Sequence, residues 1–165
     1  YFLMGHDWRV EPPGQWVRNV TERVLADAVD TSSDFRAGTV LDGPAFERAV
    51  GDALRARARG ADPAETGLVE SCLVRARVRA GADPGRAAED VLEQAVRQLG
   101  DSPDTEQHAR VLDRTYINPA PKQRAAANAV GLSYGTYRRR LREATALLID
   151  HLWQQELEAP REGRG

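Results

Sequence analysis

A glycine at position 131 separates two segments with helical periodicity, and this feature limits the fold more than any other in the sequence. Pro121 suits the first position of a helix, where its missing N–H costs nothing. Gly131 stands where that helix must stop, in the left-handed conformation that glycine adopts at low cost. Ser133 is suited to cap a second helix through its hydroxyl. The sequence therefore predicts two helices joined by a tight turn between Pro121 and Leu141.

The apolar residues around this glycine predict how the two helices meet. Ala127 lies four residues before Gly131, whereas Tyr137 and Leu141 lie six and ten residues after it. This spacing sets a small side chain of the first helix against an apolar stripe on the second, as a close crossing at roughly 90–120° requires. With Tyr137, Leu141 and Ala144 turned inward, we expect Ala127 at the crossing.

The opposite face of the second helix is basic. Gly135, Arg138, Arg139 and Arg142 fall on it at helical spacing. A DNA major groove offers phosphates along its walls and guanine edges on its floor, and arginine binds both. We therefore expect a recognition helix over 133–142, with base contacts from Arg138 and Arg142. The candidate DNA contacts are Lys122, Arg124, Ser133, Tyr134, Gly135, Thr136, Arg138, Arg139, Arg140 and Arg142.

Phosphate contacts are expected from four of these cations, Lys122, Arg124, Arg139 and Arg140. The alternative is a solvated basic helix in an ordinary helical bundle. The Ala–Gly–Tyr–Leu framework described above favours DNA binding, because a solvated helix does not require it.

The stretch from Leu112 to Glu156 resembles the helix-turn-helix of sigma-factor region four and of response-regulator effector domains. More narrowly, TYINPAPKQRAAANAVGLSYGTYRRRL with a trailing LW resembles a bacterial module found at the C-terminus of larger, often nucleotide-binding, proteins. The resemblance implies sequence-specific DNA binding. Tyr137 stands where most such motifs carry Val or Ile, so either the pocket is larger or the phenol reaches a phosphate. No promoter-melting segment precedes the motif, so a complete sigma factor is not expected.

Charge is distributed unevenly along the chain. The net charge is −2, which alone argues weakly against nucleic-acid binding. Residues 120–145, however, carry six basic groups and one acid, whereas residues 1–119 carry 15 basic and 20 acidic groups. This asymmetry predicts a confined binding face on an acidic body.

The rest of the chain has a helical period throughout, with no alternation typical of strands. A helix is predicted over 13–29, another after Pro44, and a fourth from Pro84 to about Leu99, capped by Asp83. The third helix is predicted to turn five residues inward: Leu68, Val69, Cys72, Leu73 and Ala76. A supporting helix with Val111, Leu112 and Tyr116 precedes the motif.

The fold class predicted is all-α, a helical bundle with a C-terminal helix-turn-helix. We expect a helical body over 1–100, a helix-turn-helix DNA-binding domain over 101–158 and a disordered tail over 159–165. The opening residues YFLMGHDW favour the tail of a larger chain over a chain start.

Several function classes are not expected. The sequence has no glycine-rich phosphate loop, no Cys/His cluster and no nucleophile–base pair at usable spacing, so we expect no enzyme, catalytic residue, cofactor or metal. His6 and Asp7 lack a second ligand at metal-binding spacing. The single cysteine, Cys72, excludes an internal disulfide and fits a reducing cytoplasm. No apolar run approaches the ~18 residues of a membrane span.

The chain is predicted to be a module that binds double-stranded DNA in a sequence-specific way. We expect it to act as a bacterial transcriptional regulator in the cytoplasm. The alternative is a helical protein-interaction domain whose basic helix-turn-helix face binds an acidic protein partner. The far end of the recognition helix has more apolar surface than a lone helix can hide, so it packs on the body or pairs with a second chain. A homodimer is expected through Leu148, Leu152 and Trp153.

Overall fold

The computed structural model describes residues 41–159, which are helices and turns with no strand. Two short 3-10 turns, Pro63–Glu65 and Gly67–Glu70, separate the first two helices. The six α-helices of the described region are α1 (Gly43–Ala58), α2 (Cys72–Arg79), α3 (Pro84–Gly100), α4 (Glu106–Leu112, extended by a π-helical turn over Asp113–Ile117), α5 (Gln123–Ala129) and α6 (Tyr134–Glu158). The all-α prediction is confirmed for this region. The predicted helix 13–29, the His6–Asp7 pair and the tail over 160–165 lie outside it.

The starts of α1 and α3 follow the capping chemistry expected of aspartate before proline. The Asp42 carboxylate accepts a hydrogen bond from the backbone N–H of Ala45 at 2.8 Å. The Asp83 carboxylate accepts one from the N–H of Arg86 at 3.1 Å, and Pro84 occupies the first turn of α3. Each cap satisfies a donor that the helix itself leaves unpaired. The predicted start of the helix at Pro84 is therefore confirmed.

The third predicted helix begins later than expected. Ser71 has extended backbone angles, and its hydroxyl accepts from the N–H of Val74 at 3.2 Å, so α2 starts at Cys72. The residues before it form a 3-10 turn, which changes the phase of the side chains. The predicted inward set is confirmed in part: Leu68 is buried and Val69 and Leu73 are half-buried against the core, whereas Cys72 and Ala76 are half-buried outside it. Val74 takes the inward position instead.

One main core joins the predicted body to the end of the chain. Its buried residues come from α1, α3, α4 and the second half of α6, together with Leu68 and Val74. The ring of Trp153 lies 5.1 Å from that of Phe46, centroid to centroid, with the planes tilted by 54°. The division predicted at residue 100 therefore does not correspond to a division of the core.

The surface predicted for a homodimer is part of this core. Leu148 and Leu152 are fully buried and Trp153 is 2% exposed, all against residues of the same chain. The apolar end of the long helix therefore packs on the body. The prediction of a homodimer interface through these three side chains was wrong. The body already covers the apolar area that we assigned to a second chain.

The buried face of α6 changes along its 25 residues. Near the start, Tyr137 and Ala144 are buried while Gly135 is exposed. Trp153 follows Gly135 by 18 residues, about five helical turns, so both point to the same side of the helix. This side of α6 is exposed to solvent at the first turns of the helix. At its last turns the same side is covered by α1. The exposed face of the first turns therefore ends where the body begins.

A buried carboxylate fixes the end of α6 to the start of α2. Glu156 is 4% exposed, and its two carboxylate oxygens accept hydrogen bonds from the backbone N–H groups of Cys72 at 2.7 Å and Leu73 at 3.1 Å. These are donors that the first turn of α2 cannot satisfy internally. The negative charge also lies at the positive end of the helix dipole. Glu156 therefore connects residues 84 positions apart in the chain.

We expect Glu156→Gln to lower the free energy of unfolding by about 1.5–3 kcal/mol, because a charge-assisted pair of hydrogen bonds is replaced by a neutral contact. Glu158→Gln is the matched control: Glu158 is an exposed acid on the same turn, and we expect a change within about 0.5 kcal/mol. Urea unfolding followed by circular dichroism measures both. Equal midpoints for the two variants would contradict the assigned role of Glu156.

Candidate nucleic-acid interface

The first helix of the predicted motif starts two residues later than expected. Pro121 is not its first residue, because Lys122 has extended backbone angles (φ −142°, ψ 151°) and α5 begins at Gln123. The Lys122 carbonyl accepts the first helical hydrogen bond, from the N–H of Ala126 at 3.0 Å. The assignment of Pro121 to the first helical position was therefore wrong, and Lys122 is the exposed residue that leads into the helix.

The turn between α5 and α6 has the predicted glycine and cap. Gly131 has a φ of +73°. Its N–H donates to the Asn128 carbonyl at 3.1 Å, and the next N–H, of Leu132, donates to the Ala127 carbonyl at 2.9 Å. This pair of bonds is the Schellman arrangement that ends a helix at a left-handed residue. The Ser133 hydroxyl then accepts from the N–H of Thr136 at 3.3 Å and caps α6.

A second, smaller core holds α5 against the first turns of α6. It consists of Val111, Ala126, Ala127 and Tyr137, with Leu141 among the half-buried residues around it. Ala127 is 1% exposed and Tyr137 is fully buried. The predicted inward positions of Ala127, Tyr137 and Ala144 are confirmed, and Leu141 is half-buried between the two cores.

The hydroxyl of Tyr137 is bonded inside the protein. It shares a hydrogen bond with the Thr115 hydroxyl, which donates to the Val111 carbonyl at 2.6 Å. Burial raises the pKa of the Tyr137 phenol, and the Thr115 hydrogen bond acts in the opposite direction. The sequence left two alternatives for Tyr137: a pocket larger than one for Val or Ile, or a phenol that reaches a phosphate. The structure has the larger pocket, and the phenol points into the protein. Sequence reasoning missed Thr115, whose contact depends on the π-helical turn that follows α4.

We expect Tyr137→Phe to lower the free energy of unfolding by about 0.5–1.5 kcal/mol through the lost hydrogen bond, with DNA affinity unchanged. Tyr116→Phe is the control, because the neighbouring half-buried Tyr116 makes no hydrogen bond through its hydroxyl within residues 41–159. Chemical denaturation and a fluorescence-anisotropy DNA titration measure the two effects. A phenol that contacts phosphate would give the reverse: unchanged stability and weaker binding.

The outward face carries cations that no carboxylate neutralises. Arg138, Arg139 and Arg142 of α6 are exposed, as are Lys122 and Arg124 at the start of α5, and none of the five forms an ion pair within the described residues. Many arginines of the body are paired: those at 55, 57, 75, 86 and 110 lie within 4.0 Å of an Asp or Glu oxygen. Five free cations therefore lie on the two helices around the turn, although Arg48, Arg59 and Arg97 elsewhere in the described region are also exposed without an ion pair.

Gly135 lies in the middle of this face without a packing reason to be glycine. A methyl group added at its Cα would meet no atom within 4 Å. Glycine inside a helix costs roughly 0.5–1 kcal/mol relative to alanine. The neighbouring side chains of the described region do not account for that cost, and a bare backbone here leaves room for another molecule to come close.

Arg140 differs from the other candidate contacts. It is half-buried, and its guanidinium donates to the Glu143 carboxylate at 3.0 Å, while His108 Nε2 of α4 lies 3.3 Å from the same oxygen. Burial raises the pKa of Glu143, but the hydrogen bonds from His108 and Arg140 outweigh it and hold the pKa below its ordinary value. Arg140 is therefore paired with an acid of its own helix, unlike the other candidate cations, and its expected phosphate contact stays a prediction. Its partner Glu143 links α6 to α4 through His108.

Tyr134 organises the cations at the start of α6. The guanidinium carbon of Arg124 lies 5.0 Å from the centroid of the Tyr134 ring, and the guanidinium carbon of Arg138 lies 5.9 Å from it. Its hydroxyl donates to the Gln123 side-chain oxygen at 3.3 Å. A shallow open groove of about 390 Å³ runs beside the ring, lined by Gln123, Tyr134, Arg138, Leu141 and Arg142.

The remaining candidates for DNA contact are Ser133 and Thr136. Their hydroxyl groups form a hydrogen bond with each other at 2.9 Å and belong to the cap of α6.

Comparison with protein-family models, with curated proteins and with solved structures found no match. Within residues 41–159, no group of three or more His, Cys, Asp or Glu side chains is arranged to hold a metal ion. None of the helices in that range is long and apolar enough to span a membrane.

Proposed function

We propose that this chain is a sequence-specific DNA-binding module of the transcription-regulator type, in which α5 and the first turns of α6 act as a helix-turn-helix. The observation that carries the proposal is the set of five unpaired cations around Gly135, whereas six of the twelve other arginines in residues 41–159 lie within 4.0 Å of an Asp or Glu oxygen. Unpaired surface cations repel one another, and a polyanion offsets that repulsion.

The dimensions of the face also suit a major groove. The segment from Gly135 to Arg142 occupies about 10 Å of helix axis, and the groove is about 12 Å wide. Gly135 leaves space for close approach to one wall, as noted above. Arginine side chains on either side can reach guanine edges or phosphates.

The body sets the direction of entry. Trp153 and α1 cover the same side of α6 that carries Gly135, about five turns further along. DNA can therefore approach only the first turns of the helix, and α6 enters the groove by its N-terminal end. Recognition helices contact base edges with their N-terminal residues.

Alanine substitutions of Arg142 and Arg139 test the proposal. On a duplex selected from random DNA, we expect Arg142→Ala to cost about 1–3 kcal/mol and to relax preference at one base pair. We expect Arg139→Ala to weaken binding to selected and scrambled duplexes alike, and to lower the slope of log affinity against log salt by about one unit. Anisotropy titrations at several salt concentrations measure both.

Arg97→Ala is the matched control. Arg97 is an exposed arginine without an ion pair in the described residues, and it lies on α3. Its neighbour Gln98 bonds His151, which lies on the side of α6 away from Gly135. We expect no change in DNA affinity. Wild-type protein that binds no duplex, but binds an acidic polypeptide through Arg139 and Arg142, would contradict the proposal and support the protein-interaction alternative.

A further inference from the structure

We propose that Arg124, Tyr134 and Arg138 form a clamp for a single DNA backbone phosphate, which leaves Arg142 as the arginine that reads a base. This inference rests on the proposed function and assigns separate roles to arginines of one face. The sequence alone placed Arg138 and Arg142 together as base readers, because both lie on the exposed stripe.

The clamp is built from both helices of the motif. Arg124 belongs to α5 and Arg138 to α6, yet both guanidinium carbons lie near the ring of Tyr134, at 5.0 Å and 5.9 Å from its centroid. The two carbons are therefore at most about 11 Å apart, the sum of these distances. A ring of Tyr attracts a cation over its face, so Tyr134 holds both guanidinium groups in place.

No acid of the described region neutralises this pair. Neither Arg124 nor Arg138 has an Asp or Glu oxygen within 4.0 Å. Two positive charges held near one ring repel each other, and one anion that contacts both relieves the repulsion. Guanidinium groups bind phosphate oxygens through fixed pairs of N–H donors, which a phosphate between the two helices would satisfy.

Tyr134 is itself tethered to α5. Its hydroxyl donates to the Gln123 side chain at 3.3 Å, so the ring bridges the start of α5 and the start of α6. The side chain of Arg138 is thereby drawn toward α5 and away from the centre of the exposed face. Arg138 lines the open groove beside the ring and Arg124 is exposed, so a backbone phosphate has access to both guanidinium groups.

Helical geometry separates Arg138 from Arg142. Relative to the direction of Gly135, Arg142 points about 20° to one side, whereas Arg138 points about 60° to the same side. Arg139 points about 40° to the other side. A residue at the centre of the face meets the floor of a groove, where the base edges lie, and residues at its margins meet the walls, where the phosphates lie. Arg142 has no aromatic contact in the described region and is free to extend to the floor.

The salt dependence of binding tests whether one phosphate is shared. Each neutralised phosphate contributes about 0.9 to the slope of log affinity against log salt. We expect Arg124→Ala and Arg138→Ala each to lower the slope by up to one unit on selected and scrambled duplexes, and the double variant to lower it by about one unit in total. Two separate phosphates would give a total of about two units and would overturn the clamp.

Variants of Tyr134 test the role of the ring. Tyr134→Leu removes no charge, and we expect it to weaken binding to both duplexes as the arginine variants do. Tyr134→Phe keeps the ring and loses only the hydrogen bond to Gln123, and we expect it to recover most of the affinity lost in Tyr134→Leu. Thermal unfolding of every variant shows whether an effect arises from misfolding, and only variants with wild-type midpoints are compared. Equal affinity for Tyr134→Leu and wild type would contradict the positioning role of the ring.

Base preference separates this inference from the proposed function. We expect Arg138→Ala to leave the preferred sequence unchanged, while Arg142→Ala relaxes it at one base pair. If Arg138→Ala relaxes the preference, Arg138 reads a base and the clamp is wrong, although DNA binding stands. If the wild-type protein shows no salt-dependent binding to any duplex, the proposed function itself fails.

Discussion

The burial of one helix in two cores governs this structure. The first turns of α6 supply Tyr137 to the small core with α5, and its later turns supply Leu148, Leu152 and Trp153 to the main core. A lone helix–turn–helix pair of this size has too little apolar surface to be stable alone. The second half of α6 provides that stability, and the Glu156 contact with α2 fixes its end. The exposed face of the first turns thereby belongs to a helix whose other end is buried in the body.

The same arrangement leaves five unpaired cations on one face of the described region. In the body, carboxylates stand beside many arginines, and even Arg140 of α6 is neutralised by Glu143 on the flank of the helix. Around Gly135 the described region provides no such acids. An acidic chain with a confined basic face repels DNA elsewhere and orients it toward that face, so association depends on a small number of cations. This is the electrical basis of the proposed DNA binding.

Local features of this fold could be predicted from sequence, and contacts between distant residues could not. Gly131, Ser133, Ala127 and Tyr137 were assigned correctly, because a turn, a cap and a helical phase depend on residues within about two turns. The contact of Glu143 with His108 and the hydrogen bond of Tyr137 with Thr115 depend on where α4 packs. The burial of Trp153 likewise depends on α1, which periodicity alone cannot place. The roles of the outward cations stay predictions for the same reason, because they depend on a partner.

Mapping of the bound surface tests the central claim most directly. Backbone amide chemical shifts of the labelled protein, followed by NMR during titration with a selected duplex, report which residues contact DNA. We expect changes concentrated from Lys122 to Arg142, with the amides of α2 and α3 unchanged. Changes concentrated on α1 to α3, or no changes at saturating duplex, would contradict the claim that the unpaired cations around Gly135 form a DNA-binding face.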